Sequence, residues 1–148
     1  MSPETIHASA VVIGESGVLI RGVSGAGKSA LAAALVREAL GRGLFSLLVG
    51  DDRIRLSVAG QRVSARPHPA LAGLIETRGV GIVTVESEPA AVLRLVVDIG
   101  DAPDRMPETT DQSVIIEGVK LPRMRISATQ SVQDQACRVV DRLGPGRE

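Results

Sequence analysis

Eight consecutive residues carry the most specific chemistry in the chain. Gly22-Val23-Ser24-Gly25-Ala26-Gly27-Lys28-Ser29 fits the pattern GxxxxGK[ST] at every fixed position. Gly22, Gly25 and Gly27 let the backbone curl so that successive N–H groups point inward at phosphate oxygens. A helix that starts at the end of the loop adds the positive end of its dipole. Lys28 sets a cation against the outer phosphates, and the Ser29 hydroxyl is placed to coordinate Mg²⁺. The pattern therefore implies ATP or a related nucleoside triphosphate together with Mg²⁺. It does not say what becomes of the terminal phosphate.

Acidic residues supply the next candidates. Leu47-Leu48-Val49-Gly50-Asp51-Asp52 is an apolar run that ends in two carboxylates. One carboxylate at a strand end beside a phosphate loop is enough to contact the metal. A second can accept a proton from an attacking hydroxyl, and crowding of like charges suits one of the pair to act as a base. Leu95-Val96-Val97-Asp98 also reads as strand then acid, so either Asp51 or Asp98 completes the metal shell. In Leu74–Ile82, Glu76 and Arg78 lie two residues apart in what reads as an extended segment, which puts them on one face. Glu76 is a candidate second metal contact, and Arg78 a candidate phosphate contact. An ordinary surface pair would look the same. His7 and His68 are lone histidines, of a kind more often found capping or exposed, and Cys137 reads as a core residue.

These residues need elements to hold them. Ala10–Ile13 and Val18–Arg21 read as strands joined by a turn at Gly14–Gly17. Ser29–Leu40, rich in Ala and Leu, reads as a largely buried helix ending at Gly41. Phe45–Val49 reads as a strand covered on both faces. Ile54–Val58 and Arg62–Ala65 read as a second hairpin, followed by strands at Gly79–Val85 and Val92–Ile99. Gly100–Asp111 reads as an exposed loop, Val114–Ile116 and Val119–Ile126 as late strands, and Val132–Leu143 as an amphipathic helix. The expected fold is α/β, with a mixed, β-rich sheet and few helices, in a single domain over residues 1–148.

Composition narrows the function classes. The 148 residues include 17 Lys+Arg and 17 Asp+Glu, a balance unlike that of an electrostatic nucleic-acid or membrane binder. One Phe, with no Trp or Tyr, excludes aromatic base-stacking platforms. A single cysteine excludes an intrachain disulfide. The N-terminus has neither a basic n-region nor an apolar h-region, so a cytoplasmic location is expected.

Together the motifs resemble the catalytic C-terminal domain of HPr kinase/phosphorylase, in the short form that lacks the N-terminal domain. Four blocks carry the likeness over roughly residues 5–126: Ile6-His7-Ala8, Gly22–Ser29, Val49-Gly50-Asp51-Asp52 and Ile75-Glu76-Thr77-Arg78-Gly79-Val80-Gly81-Ile82-Val83. The last is the most specific, because ordinary phosphate-loop enzymes do not carry it. The resemblance implies ATP- and Mg²⁺-dependent phosphorylation of a serine on HPr, a small phosphocarrier of the sugar phosphotransferase system. It implies phosphate binding by Lys28 and metal binding by Ser29 and Glu76. It gives proton transfer to Asp52, supported by Asp51, and makes His7 an active-site histidine. The family's arginine-containing loop has no counterpart in Thr84–Ala91, and Arg94 lies outside any such motif. The resemblance thus speaks for the kinase direction and leaves the reverse phosphorylase reaction and a homo-oligomer open. From the residues alone, a small-molecule phosphate-loop kinase or NTPase and an ATP-binding regulator without phosphoryl transfer also remain.

Overall fold

The computed structural model describes residues 4–100 and 112–144. The expected loop therefore lies, from residue 101, outside the described residues. The first strands are β1 (Glu4–His7), β2 (Ser9–Ile13) and β3 (Ser16–Gly22), and α1 (Lys28–Gly41) follows the glycine-rich loop. Next come β4 (Ser46–Gly50), β5 (Arg53–Ala59), β6 (Arg62–Pro67), β7 (Leu74–Thr77), β8 (Gly81–Thr84) and β9 (Ala91–Ile99). The chain closes with β10 (Ser113–Ile116), β11 (Val119–Ile126) and α2 (Val132–Leu143).

Nine strands form one mixed sheet in the order β1-β5-β6-β9-β3-β2-β4, with β11 also on β9 and β10 on β11, while β7 and β8 pair separately. The expected β-rich mixed sheet with few helices is what the chain builds. Strand β9 organises it. Its first residues pair antiparallel with β6 at Ser64↔Val92 and Ala65↔Ala91. Its later residues pair in parallel with β3 on one side and with β11 on the other. Three parallel strands thus end together at Gly22, Ile99 and Ile126, and the glycine-rich loop leaves from the central triad's first member. Ligands of open α/β sheets gather at such carboxyl ends.

Alternation along these strands fills two cores. Val11, Ile13, Val18, Ile20, Leu95, Val97 and Ile126 face α1 and α2 on one side. Ala10, Val12, Leu19 and Val96 meet Leu56 of β5 and Leu121 of β11 on the other. Helix α1 buries Leu31, Ala32, Ala34, Leu35 and Ala39, whereas Leu40 stays 54% exposed. It continues through Gly41, and Gly43 (φ 83°) takes the left-handed position expected of Gly41. Helix α2 is the expected amphipathic element, capped by the Ser131 hydroxyl accepting from the Asp134 N–H.

Three other expectations need correction. Phe45 precedes β4 and is 53% exposed. Strand β4 is otherwise covered on both faces as expected, with Leu48 in one core and Val49 in the other, and its edge meets the 87–88 segment, where the Glu88 N–H donates to the Leu48 carbonyl. The Leu74–Ile82 segment is not one extended run. It turns at Arg78–Val80, where the Val80 N–H donates to the Thr77 carbonyl, so strand alternation cannot put Arg78 on the face of Glu76. Cys137 on α2 is half-buried rather than enclosed. Among the described residues, no helix is long and apolar enough to cross a membrane.

Candidate active site

Two antiparallel pairings bring the acidic pair to the loop. Strand β2 pairs with β3 at Ser9↔Ile20 and with β4 at Ala10↔Gly50, so the end of β4 arrives beside the end of β3. Gly50 is required by close packing: a Cβ there would lie 2.8 Å from Ile54 Cδ1 and 3.0 Å from the Pro67 Cα. Gly22 acts the same way, since its Cβ would meet that of Ala26 at 3.1 Å. The left-handed turns fall instead at Gly25 (φ 84°) and Gly27 (φ 103°).

Asp51 is the hub. Its side chain is buried and accepts from the Ser9 hydroxyl at 2.6 Å. It accepts from the Ser29 hydroxyl, 2.8 Å from each carboxylate oxygen. Its Oδ2 also accepts the backbone N–H of Glu76 at 3.2 Å. The structure thus joins three expected positions, Ser29, Asp51 and Glu76, and adds one that sequence reasoning missed. Ser9 is a fully buried hydroxyl in an apolar strand, and that single polar interruption was the available signal.

Asp52 turns the other way. The Arg53 N–H donates to the Asp51 carbonyl at 2.8 Å, closing a three-residue turn with Asp52 (φ 74°) at its apex. This exposes the Asp52 carboxylate, with His7 Nδ1 4.0 Å from it. The two acids therefore divide by environment, one buried among donors and one open to solvent, and do not share a single crowded position. Lys28 Nζ donates to the Gly22 carbonyl at 3.0 Å and the Val23 carbonyl at 3.3 Å, lying back across the loop.

Other candidates stand apart. Asp98 is ion-paired with Arg21 at 2.7 Å and also with Arg123, so it does not join the Asp51 cluster. Burial pushes its carboxyl up, but the hydrogen bonds from Arg21 and Arg123 outweigh that and hold it below the usual range. From β9, Asp98 thus ties β3 to β11 through Arg21 and Arg123. Arg78 is exposed at the β7–β8 turn and has no ion-pair or hydrogen-bond partner among the described residues. His68 accepts the Ala70 N–H and opens a short 3₁₀ turn, Pro69–Leu71, which is the capping role expected of a lone histidine.

The donors fit the implied groups. Helix α1 has no side-chain cap at its N-terminus, so its first N–H groups remain for an anion. Mg²⁺ favours one or two carboxylates and a hydroxyl, completed by substrate phosphates. The Ser29 hydroxyl, Asp51 and the nearby Glu76 are such a set.

A strand, a glycine loop and a helix whose first-turn serine is bonded to a strand-end carboxylate define the phosphate-loop class of α/β protein. Comparison with known proteins narrows that class. A family model described as HPr Serine kinase C-terminal domain matches residues 1–136. HPr kinase/phosphorylase of Streptococcus gordonii is 33% identical over 135 residues, spanning 82% of this chain and 41% of that protein. The Azoarcus sp. protein of the same name is 37% identical over 124 residues, covering 74% and 37%. A solved structure, that of the Hpr(Ser) kinase/phosphatase from Coxiella burnetii, superposes with a TM-score of 0.73 at 26% identity and covers 95% of this chain and 96% of that one. The chain belongs to the HPr serine kinase C-terminal domain family. It matches less than half the length of these two curated relatives. The likeness also extends past Ile126, where the motifs alone end.

Proposed function

We infer that the chain is an ATP- and Mg²⁺-dependent kinase that phosphorylates a serine of an HPr-type phosphocarrier protein in the cytoplasm. The observation that carries this reading is the division of the acidic pair. Asp51 is committed to Ser29 and to the Glu76 backbone. Asp52 is left exposed beside the loop, where the hydroxyl of a large substrate can reach it.

MgATP supplies the transferable phosphoryl group and neutralises its charge. The chain does the rest. The loop N–H groups and Lys28 hold the phosphates, and Lys28 has only to exchange two loop carbonyls for phosphate oxygens. Asp52 takes the proton as the serine oxygen bonds to the γ-phosphorus and the bond to the ADP oxygen breaks. In the reverse direction the same carboxyl returns that proton. His7, with its Nδ1 4.0 Å from Asp52, would position that carboxylate once the two close to hydrogen-bond distance. Arg78 reaches the phosphates only if the β7–β8 turn carries it there when substrate binds.

The test is transfer from ATP to purified HPr. Asp52→Asn should lower transfer by about 10²–10⁴-fold with nucleotide binding retained, and Lys28→Ala should weaken nucleotide binding itself. Full transfer by Asp52→Asn would remove the base assignment. Phosphorylation of a metabolite with HPr ignored would replace the protein-kinase reading.

A further inference from the structure

A facing pair of arginines lies away from the loop. Arg55 on β5 and Arg66 on β6 are directly opposite each other in the antiparallel register. Their neighbours Ile54, Leu56, Val63 and Ala65 are all buried, so both arginines point to the outer face of the hairpin. Like charges directly opposite on paired strands are destabilising. Among the described residues no carboxylate pairs with either of them. Arg21, Arg42 and Arg123 each have a carboxylate partner. Arg55 and Arg66 make no ion pair or side-chain hydrogen bond among the described residues, although Glu86 and Glu88 flank the nearby Ser87.

Arg55 is partly buried and Arg66 is exposed. With Ser87 and the prolines Pro67, Pro69 and Pro89 they line a cavity of about 340 Å³. Prolines carry no N–H and have fixed φ, so three of the walls are stiff and offer no competing backbone donor. The polar residues among its walls are the two arginines and Ser87. Guanidinium forks match the oxygens of phosphate or carboxylate. The volume is at the lower end of the range for small-molecule sites, roughly 300–1,000 Å³. None of these lining residues belongs to the loop or to the Asp51 cluster.

We propose that Arg55 and Arg66 form a binding site for a small molecule bearing a multiply charged oxyanion, separate from the phosphate loop. The anion bridges the two guanidinium groups and cancels their repulsion. The proposal goes beyond the kinase reading and does not depend on it.

The test measures binding of inorganic phosphate and of citrate by calorimetry in the full chain, against sodium chloride at matched ionic strength. A Lys28→Ala background weakens anion binding at the loop. In that background one of the two probes should bind, and adding Arg55→Gln and Arg66→Gln should weaken it at least about tenfold, as loss of charged hydrogen bonds requires. Phosphate alone binding assigns a phosphoryl ligand, and citrate alone a polycarboxylate. Unchanged binding after both substitutions overturns the site, as does an equal response to sodium chloride. Binding of a polyglutamate peptide but of neither small anion overturns the small-molecule assignment. A melt without probe at low salt separates ligand from structural roles. Arg66→Gln should melt no lower than the parent, because it removes a like charge, and a fall of several degrees would make the arginine structural. Transfer to HPr is not read in either measurement, so this proposal and the kinase reading stand or fall apart.

Discussion

Replacing Asp51 by asparagine tests how the site is assembled. The carboxylate accepts from three groups: the Ser9 hydroxyl at 2.6 Å, the Ser29 hydroxyl at 2.8 Å and the Glu76 N–H at 3.2 Å. An amide keeps one acceptor oxygen and turns the other into a donor. With the amide oxygen toward Ser9, the NH₂ meets the Glu76 N–H, donor against donor. With the oxygen toward Glu76, Ser9 can rotate to accept, but its own proton then loses its partner at a fully buried position. Either orientation strands one donor, at about 1–3 kcal/mol, and removes the charge from the remaining bonds. The expected loss is about 2–4 kcal/mol on this accounting. A chain of 148 residues has roughly 7–22 kcal/mol to lose from, so the fold survives. The chain has no Trp or Tyr, so circular dichroism follows urea unfolding. The midpoint should fall by about 1–2 M with the slope unchanged. Hydrogen exchange at the Glu76 amide should accelerate more than at its neighbours in β7. A midpoint shift below about 0.3 M, or a Glu76 amide as protected as before, would refute the hub.

Three further outcomes follow. Gly50→Ala forces a methyl against Ile54 and Pro67 and should cost about 1–3 kcal/mol in a urea melt; an unchanged melt would mean that β4 and β5 separate freely. Asp52→Gly removes a left-handed strain from the turn, so it should be at least as stable as the parent while losing transfer. A drop beyond about 1 kcal/mol would mean that the side chain holds the turn. Asp98 has a folded pKa below its unfolded value, so its contribution is complete above the unfolded pKa of about 4 and is lost as pH falls through the folded one. Asp98→Asn should therefore lower stability at pH 7 and flatten the acid limb below about pH 4, and a parallel acid limb in the variant would count against the ion-pair assignment.

Much of the site was legible because its chemistry is local. The glycine loop, the helix start at Lys28 and the strand end before Asp51 depend on neighbours in sequence. The hairpin β5–β6 was legible for the same reason. Strand β1 was not, because four residues on the edge of β5 have no signal until the partner is present. The parallel alignment of β3, β9 and β11 joins segments far apart in the chain, so Asp98 read as a metal-strand acid although Arg21 faces it from β3. The division between Asp51 and Asp52 depended on one positive φ, which alternation cannot foresee. The turn at Arg78–Val80 had a local sign, in that Gly79 and Gly81 both adopt left-handed φ, but two glycines among apolar residues also suit a continuous strand.

One bond has a further consequence. Ser29 spends its only proton on Asp51, inside the protein. What its oxygen presents to the loop is then a pair of lone pairs and no donor. That atom is poised for an electron-poor guest and repels an electron-rich one. The loop next to it, built of N–H groups, has the opposite preference. Two adjoining surfaces of opposite taste accept a cation and an anion together more readily than either alone, so the polarity of a half-buried hydroxyl orders what enters and in which orientation.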